Sequence, residues 1–533
     1  MPLITRLIVR DNALACLPKV PSDEVYPLHF FDDQKVYHNS HGVWMLRFDD
    51  VLDPTIVYAA FERLCSLPGW RKCGGRLRMN DRNKLEVHVP EKFTSARPAS
   101  MLTRVSYGDI SINEHPVASS LPRETAVPCL QSGPTDFLSL SMTPRTPVCL
   151  EDYLKSDMPL LNMHIVTFKD ATLVSMTWPH VLGDIMSASA ICEAWSLVMA
   201  GREAEVPACL SSGHDDVLEK AGHHPAFNDK HMMEGQQLKG LWFMVWVVRY
   251  FLDIFWWYRQ ESRTIYLPPR SVTKLKAKAM MEIKGQNPEA RPSAASHATQ
   301  FVSTADVVFA WIICLMGRAT FSPRSKRSVM IGFPCDVRDR APSIFTPAQK
   351  ERGVWVQNAS PPILQTVPAR DVVSEHGMAK VAQSIRHAIT SLGTEAQIHA
   401  QYALARDSYR KSGLPPIFGR IDQFPVNGTN WTKANFFEKV DFSPAVVHQV
   451  NGVTEKTGKK VRDTLVNGNH GRKSAVGKPV YLHANELAPP GSRQPLSRNL
   501  AYLLGTPAGG YWVVGKFHPI VWRQIEGALA AMQ

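Results

Sequence analysis

Apolar residues recur along this chain with two periods, near 2 and near 3.6, and the order in which they alternate points to a mixed α/β protein. "GVWMLRFDDVLDP" (residues 42–54) reads as a strand, and "TIVYAAFERLCSLPGW" (55–70) as a helix. "LLNMHIVTFKDATLVSMTWPH" (160–180) reads as two strands meeting at "KDAT", and "DIMSASAICEAWSLVMAG" (184–201) as a helix that closes at Gly201. Farther on, "RSVTKLKAKAMMEIKG" (270–285) predicts a basic helix. "QNPEARPSAASHATQF" (286–301) predicts a Pro/Ala/Ser loop, and "VSTADVVFAWIICLMGRA" (302–319) a helix with a Ser/Thr/Asp start. "SVMIGFPCDVRDR" (328–340) reads as a strand running into a loop, and "DVVSEHGMAKVAQSIRHAITSL" (371–392) as one helix. "KPVYLHAN" (478–485) and "GGYWVVGKF" (509–517) read as strands before a short last helix.

Two α/β halves of similar size emerge: an N-terminal domain over 1–205 and a C-terminal domain over 263–533. Residues 206–262 are a connection rich in His, Gly and Trp, and 450–476 form a Lys/Gly/Asn-rich loop insertion in the second half. Within the connection, "LKGLWFMVWVVRYFLDIFWWY" (238–258) is too interrupted by Arg249 and Asp253 for a spanning helix. Lys239, Trp242, Trp246, Arg249 and Asp253 share one side of its wheel and leave the other apolar. That pattern fits a helix lying in a membrane interface. It fits equally a linker helix buried against its own protein, with an Arg249–Asp253 pair at i, i+4.

Composition is that of an ordinary globular chain, 44% hydrophobic and 20% charged over 533 residues. The net charge of +12 serves solubility or an anionic ligand. Its scatter, without a binding motif, argues against nucleic acid. Nine widely spaced cysteines with no C-x-x-C point to free thiols in a reducing compartment. The N-terminus lacks a long apolar signal region. The expectation is a monomeric cytoplasmic protein in which residues 238–258 are the candidate for peripheral membrane contact.

"SMTWPHVLGDIMS" (175–187) places His180 and Asp184 four apart in the turn between a predicted strand and a predicted helix, where regular elements hold a reactive side chain in place. The same spacing occurs at His29 and Asp33 in "HFFDD", so the bare pattern decides nothing. The surroundings do. "LPGWRKCGGRLR" (67–78), "TWPHVLGDIMSASAICEAWSLVMAGRE" (177–203), "VSTADVVFAWI" (302–312), "DVRDR" (336–340) with "GVWVQNAS" (353–360), and "NGTNWTKANFFEKVDF" (427–442) follow one another in collinear order. Together they resemble the BAHD-type acyl-CoA-dependent acyltransferases, in the fungal branch that includes the trichothecene acetyltransferases. "HFFDD" has none of these segments around it.

The resemblance implies two similar-sized mixed-sheet domains with a channel between them. It implies transfer of an acyl group, acetyl by family frequency, from acyl-CoA to a hydroxyl of a hydrophobic secondary metabolite, with no metal. His180 becomes the general base, a role that suits an imidazole at neutral pH. Asp184 becomes a structural partner of a cation, for which Arg338 is the candidate. Trp431, with Thr429 nearby, falls where an oxyanion donor is needed, and Asp441 opens a loop of structural importance. Lys276 and Lys278, or Lys459, Lys460 and Arg462 in the insertion, are the candidates to meet cofactor phosphates.

The chain departs from the family where Ile185, Met186 and Ser187 follow Asp184. It departs again where Ser443 and Pro444 follow Phe442 in place of glycine. Two rival readings stay open. One is a catalytically idle small-molecule-binding protein on the same fold, made plausible by the altered 441–444 loop. The other is a carrier-protein-dependent condensation-type transferase, against which stand Pro179 before His180 and the missing glycine after Asp184.

Overall fold

The structure is a computed structural model that describes residues 16–211, 213–286, 301–447, 475–489 and 497–533. The loop at 286–300, apart from Gln286, and most of the 450–476 insertion, with Lys459, Lys460 and Arg462, lie outside the described residues.

The strands that build the two main sheets are β1 (His41–Phe48), β2 (Leu102–Ser106), β3 (Cys129–Ser132), β4 (Met163–Thr167), β5 (Thr172–Pro179), β6 (Glu261–Leu267), β7 (Ser328–Pro334), β8 (Pro362–Pro368), β9 (Phe424–Asn430), β10 (Tyr481–Leu487), β11 (Leu500–Gly505) and β12 (Tyr511–Phe517). The helices that matter here are α1 (Pro54–Ser66), α2 (Ile185–Met199), α3 (Gly240–Trp256), α4 (Pro269–Gln286), α5 (Thr304–Thr320), α6 (Gly377–Ser391), α7 (Glu395–Ser412) and α8 (Pro519–Ala530). The first sheet has the order β10-β1-β5-β4-β2 and the second β8-β7-β9-β11-β12-β6-β3.

Each sheet recruits a strand from the other half of the sequence. β10, late in the chain, pairs antiparallel with β1 from Tyr481 opposite Arg47 to Leu487 opposite His41. β3, early in the chain, pairs antiparallel with β6 at the edge of the second sheet. The connection is tied down as well: Ala208–Cys209 pair in parallel with Gly353–Val354. The Ser211 hydroxyl donates to the Val356 carbonyl at 3.0 Å and accepts from its amide at 2.7 Å.

Helix boundaries follow local chemistry. Asp53 caps α1 through the Thr55 amide ahead of Pro54, and Ser303 and Asp306 form a reciprocal capping box at the start of α5. α2 is buried on nearly every side between α1 and the first sheet, and its Trp195 indole donates to the Val57 carbonyl at 3.0 Å. One boundary differs from the sequence reading. The segment 371–392 is not one helix: it breaks into Ala369–Val373 and α6, because Ser374 turns extended and its hydroxyl donates back to the Asp371 carbonyl at 2.7 Å.

The loop that lacks the family's glycine solves the same packing problem elsewhere. Ser443 to Ala445 form a single 3₁₀ turn, so Ser443 has no need of positive φ. Gly477 supplies it instead, with φ +70°, its carbonyl accepting from the Phe442 amide at 2.8 Å. A Cβ on Gly477 would fall 2.1 Å from the Ser443 backbone nitrogen. Gly477→Val is therefore expected to destabilise the fold by about 1–3 kcal/mol through backbone strain and the forced shift of the 441–444 loop. A lower urea midpoint at unchanged m-value is the check; an unchanged midpoint would show that the loop yields freely.

Candidate active site

The turn from β5 to α2 is fixed by carboxylate chemistry. Asp184 caps α2, its Oδ1 accepting from the Met186 and Ser187 amides at 3.1 and 3.2 Å. The same side chain accepts from both terminal nitrogens of Arg338 at 3.1 Å each, from the Ala359 amide at 3.0 Å and from the Ser360 hydroxyl at 2.7 Å. Burial alone would raise this carboxyl; the Arg338 guanidinium and the bonds from Ala359 and Ser360 outweigh it and hold Asp184 below the usual carboxylate range. Arg338 is itself buried and donates further to the Gln357 carbonyl at 2.7 Å and to Asp336 at 2.8 Å. Gly183 leaves no room for a side chain here, since a Cβ would lie 2.7 Å from the Ser187 Cβ.

None of the bonds of Asp184 described above goes to His180. The imidazole is held by other means: its amide donates to the Ser40 carbonyl at 3.0 Å, and its ring stacks on Tyr37 at 4.7 Å and 13°. Asn358 Nδ2 donates to the His180 carbonyl at 2.9 Å and to Asp32 Oδ1 at 2.8 Å; Asp32 also accepts from the Asn358 amide at 2.7 Å. Burial pushes Asp32 up to about 7, against the pull of Lys72 and of the Asn358 bonds. His180 Nδ1 is enclosed with no partner side chain, while the residue as a whole keeps partial access to solvent. Desolvation lowers the His180 pKa below its ordinary 6.5, with its own carbonyl and Asp184 opposing the shift.

Facing this turn from the second sheet, Trp431 stacks on Tyr502 at 4.3 Å and reaches Trp44 at 6.1 Å. Trp44 in turn stacks at 5.0 Å on Trp178, two residues before His180. The indole N–H of Trp431 is engaged: it donates to the Thr429 hydroxyl at 3.1 Å.

This assembly belongs to a chain that is 34% identical over 514 residues to O-acetyltransferase PaAT-2 of Phomopsis amygdali, across 95% of this chain and 98% of that protein. The chain is a BAHD-type acyl-CoA-dependent O-acyltransferase. Acetyltransferase pyiB of Pyricularia grisea is 31% identical to it across 96% of this chain and 94% of its own length. A relative from Penicillium decumbens, 32% identical over 98% of both chains, bears the name transcriptional regulator calD. No family model matches the acyltransferase. Its fold is that of F. sporotrichioides TRI101 solved with coenzyme A and T-2, with a TM-score of 0.62 at 12% identity over 94% of this chain and 97% of that one. Vinorine synthase also shares the fold, with a TM-score of 0.53 at 12% identity over 97% and 96%.

The remaining predicted site residues of the acyltransferase fall in two places. Asp441 accepts from the Ser443 amide at 3.0 Å, pairs with Lys478 at 3.4 Å, and its own amide donates to the Ser196 hydroxyl of α2 at 3.0 Å. Phe442 beside it stacks on Phe48 at 5.1 Å. Lys276 and Lys278 lie on α4, which packs on α5 and α6. The Lys276 ammonium sits 5.6 Å over the Phe301 ring and Lys278 is exposed.

Tyr37, Asp32 and Asn358 are the members of the site that sequence reasoning missed. The last two meet across 326 positions of sequence, and no local pattern carries such a contact.

Removing one partner of the buried pair strands the other's charge. Asp184→Ala and Arg338→Met are each expected to lose about 3–5 kcal/mol in urea denaturation. The double variant should lose clearly less than the sum, because each single change already forfeits the shared interaction. Additive losses would show that the two side chains act independently.

Proposed function

We propose that this acyltransferase acetylates a hydroxyl of a hydrophobic secondary metabolite, with acetyl-CoA as donor and His180 as general base. The observation that carries this reading is the His180 turn: one ring nitrogen is enclosed, the ring is fixed by Tyr37 and the Asn358–Asp32 pair, and Asp184 is fully occupied elsewhere. Enclosure of Nδ1 beside its own carbonyl leaves Nε2 to meet a ligand. That its relative PaAT-2 is an O-acetyltransferase supports the acetyl donor and the hydroxyl acceptor. TRI101 complexed with coenzyme A and T-2 supports a coenzyme A and small-molecule pair meeting in one fold.

The reaction needs no acyl-enzyme. The acceptor oxygen bonds to the thioester carbonyl carbon as Nε2 takes its proton, and the carbonyl electron pair moves onto oxygen. Collapse of that oxyanion re-forms the carbonyl and breaks the C–S bond; the departing thiolate takes the proton back from His180, giving an ester and free coenzyme A. Thr429 is our choice of oxyanion donor. Its hydroxyl oxygen already accepts from Trp431, so its own proton is free to donate. Trp431 then acts as a positioning residue. A channel between the 1–205 and 263–533 halves would admit acyl-CoA from one face and the acceptor from the other, with Lys276 and Lys278 as proposed phosphate contacts.

The test is purified protein with acetyl-CoA and a panel of alcohols, following thiol release and ester product. His180→Ala is expected to lower turnover by about 10²–10⁴-fold while leaving the unfolding midpoint in place; transfer that survives it would overturn the mechanism. Thr429→Val is expected to lower kcat on the order of a hundredfold with little change in KM, and an equal loss in Trp431→Phe alone would return the donor role to the indole. Tight binding of a small molecule without any transfer would favour the idle binder.

The acid limb of kcat/KM follows from the lowered His180 pKa. A base must be neutral to act, and a group titrating below its ordinary 6.5 stays neutral to lower pH. Activity should therefore persist below pH 6.5 and fall only at more acidic values; an acid limb above pH 7 would contradict this assignment of the base.

A further inference from the structure

Helix α3 is amphipathic the wrong way round for a protein in water. Of its side chains only Val247 is buried, while Leu241, Phe255 and Trp256 are 73, 77 and 75% exposed, with Val248 and Leu252 between them on the same face. The side turned to the protein carries Val247, the partly buried Trp246 and Tyr250, and one acid, Asp253. Asp253 forms an ion pair with Arg327, one bond of which is 3.1 Å, and Trp246 stacks on Tyr250 at 5.2 Å. The Arg249–Asp253 pair read from the sequence is absent, since Asp253 takes Arg327 as its partner, and so is the burial of the apolar face: the helix docks by the side that carries Val247, Trp246, Tyr250 and Asp253. No helix among the described residues is long and apolar enough to cross a membrane.

We propose that α3 lies flat in the interface of an anionic lipid membrane. Three observations choose lipid over another occupant. First, the apolar face ends in aromatic rings on both sides, Trp242 near the start and Trp256 with Tyr258 at the finish, the side chains that settle at the boundary between headgroup and acyl chain. Second, the stretch 239–259 exposes the cations Lys239, Arg249 and Arg259, and its one acid, Asp253, is already paired with Arg327. Cations bordering an apolar face match a surface of phosphate and carboxylate headgroups. Third, self-pairing is disfavoured. An antiparallel pair centred on Val248 would set the two Arg249 side chains within about one helical turn of each other, and the one acid of the helix, Asp253, is already held by Arg327. The inference goes beyond the transferase reading and does not depend on it.

The test uses the full chain with phosphatidylcholine vesicles, with and without phosphatidylserine, in flotation assays. The wild type is expected to float with the phosphatidylserine vesicles and to be released by salt. The triple variant L252S/F255S/W256S changes only exposed side chains and is expected to lose at least about tenfold in vesicle affinity, with its urea midpoint and its transferase activity in lipid-free buffer unchanged. R249E with K239E should remove the preference for phosphatidylserine. Wild-type protein that fails to float, or a triple variant that floats as well as the wild type, overturns the proposal. A concentration-dependent dimer abolished by the triple variant, with no lipid binding, overturns it in favour of a second copy.

Discussion

The buried carboxylate of Asp184 is the constraint on which the rest of the site depends. It is the N-cap of the helix behind the His180 turn, it closes on Arg338 and Ser360 from the second half of the sequence, and it lies four residues from His180. A buried ion pair is weak evidence for stability, since an apolar pair of the same shape often serves as well. What it supplies here is registry. Bidentate geometry and directional bonds from Ala359 and Ser360 occupy both oxygens of the Asp184 carboxylate, and that arrangement sets the β5–α2 turn against the 355–360 segment.

His180 is held indirectly within that frame. Its carbonyl and amide are tied to Asn358 and Ser40, and its ring is pressed by Tyr37, so its orientation does not rely on the aspartate four residues on. The division separates two demands that conflict in one residue pair. A carboxylate bonded to the imidazole would raise its basicity and hold its proton, while a desolvated imidazole without that partner stays neutral and ready to accept one. Asp32 enters through the discounted "HFFDD" segment: it does not repeat the His–Asp spacing chemically, but it orients the amide that orients His180.

Legibility from sequence tracked the range of the interaction. The β5–turn–α2 unit was readable because alternation, a capping acid and a closing glycine are all local signals. The break at Ser374 was not, because the serine hydroxyl and the helix compete for the same carbonyl within a segment whose apolar spacing is continuous. The exchange of β3 and β10 between sheets was invisible, since nothing in a strand's own residues names its neighbour. For α3 the helical wheel revealed two faces but not which one the protein would keep. The fixed partner for Asp253, Arg327, lies 74 positions away.

The pairing of β10 with β1 has a kinetic side. β1 is made early, and its outer edge stays unpaired until Tyr481–Leu487 has been made. An open edge beside a growing apolar sheet is a template for pairing with other chains. Nascent molecules of this protein thus carry an adhesive seam for most of their synthesis, and chains that terminate early never close it. Late closure of that edge is thus a demand the strand order places on folding, separate from the stability of the finished sheet.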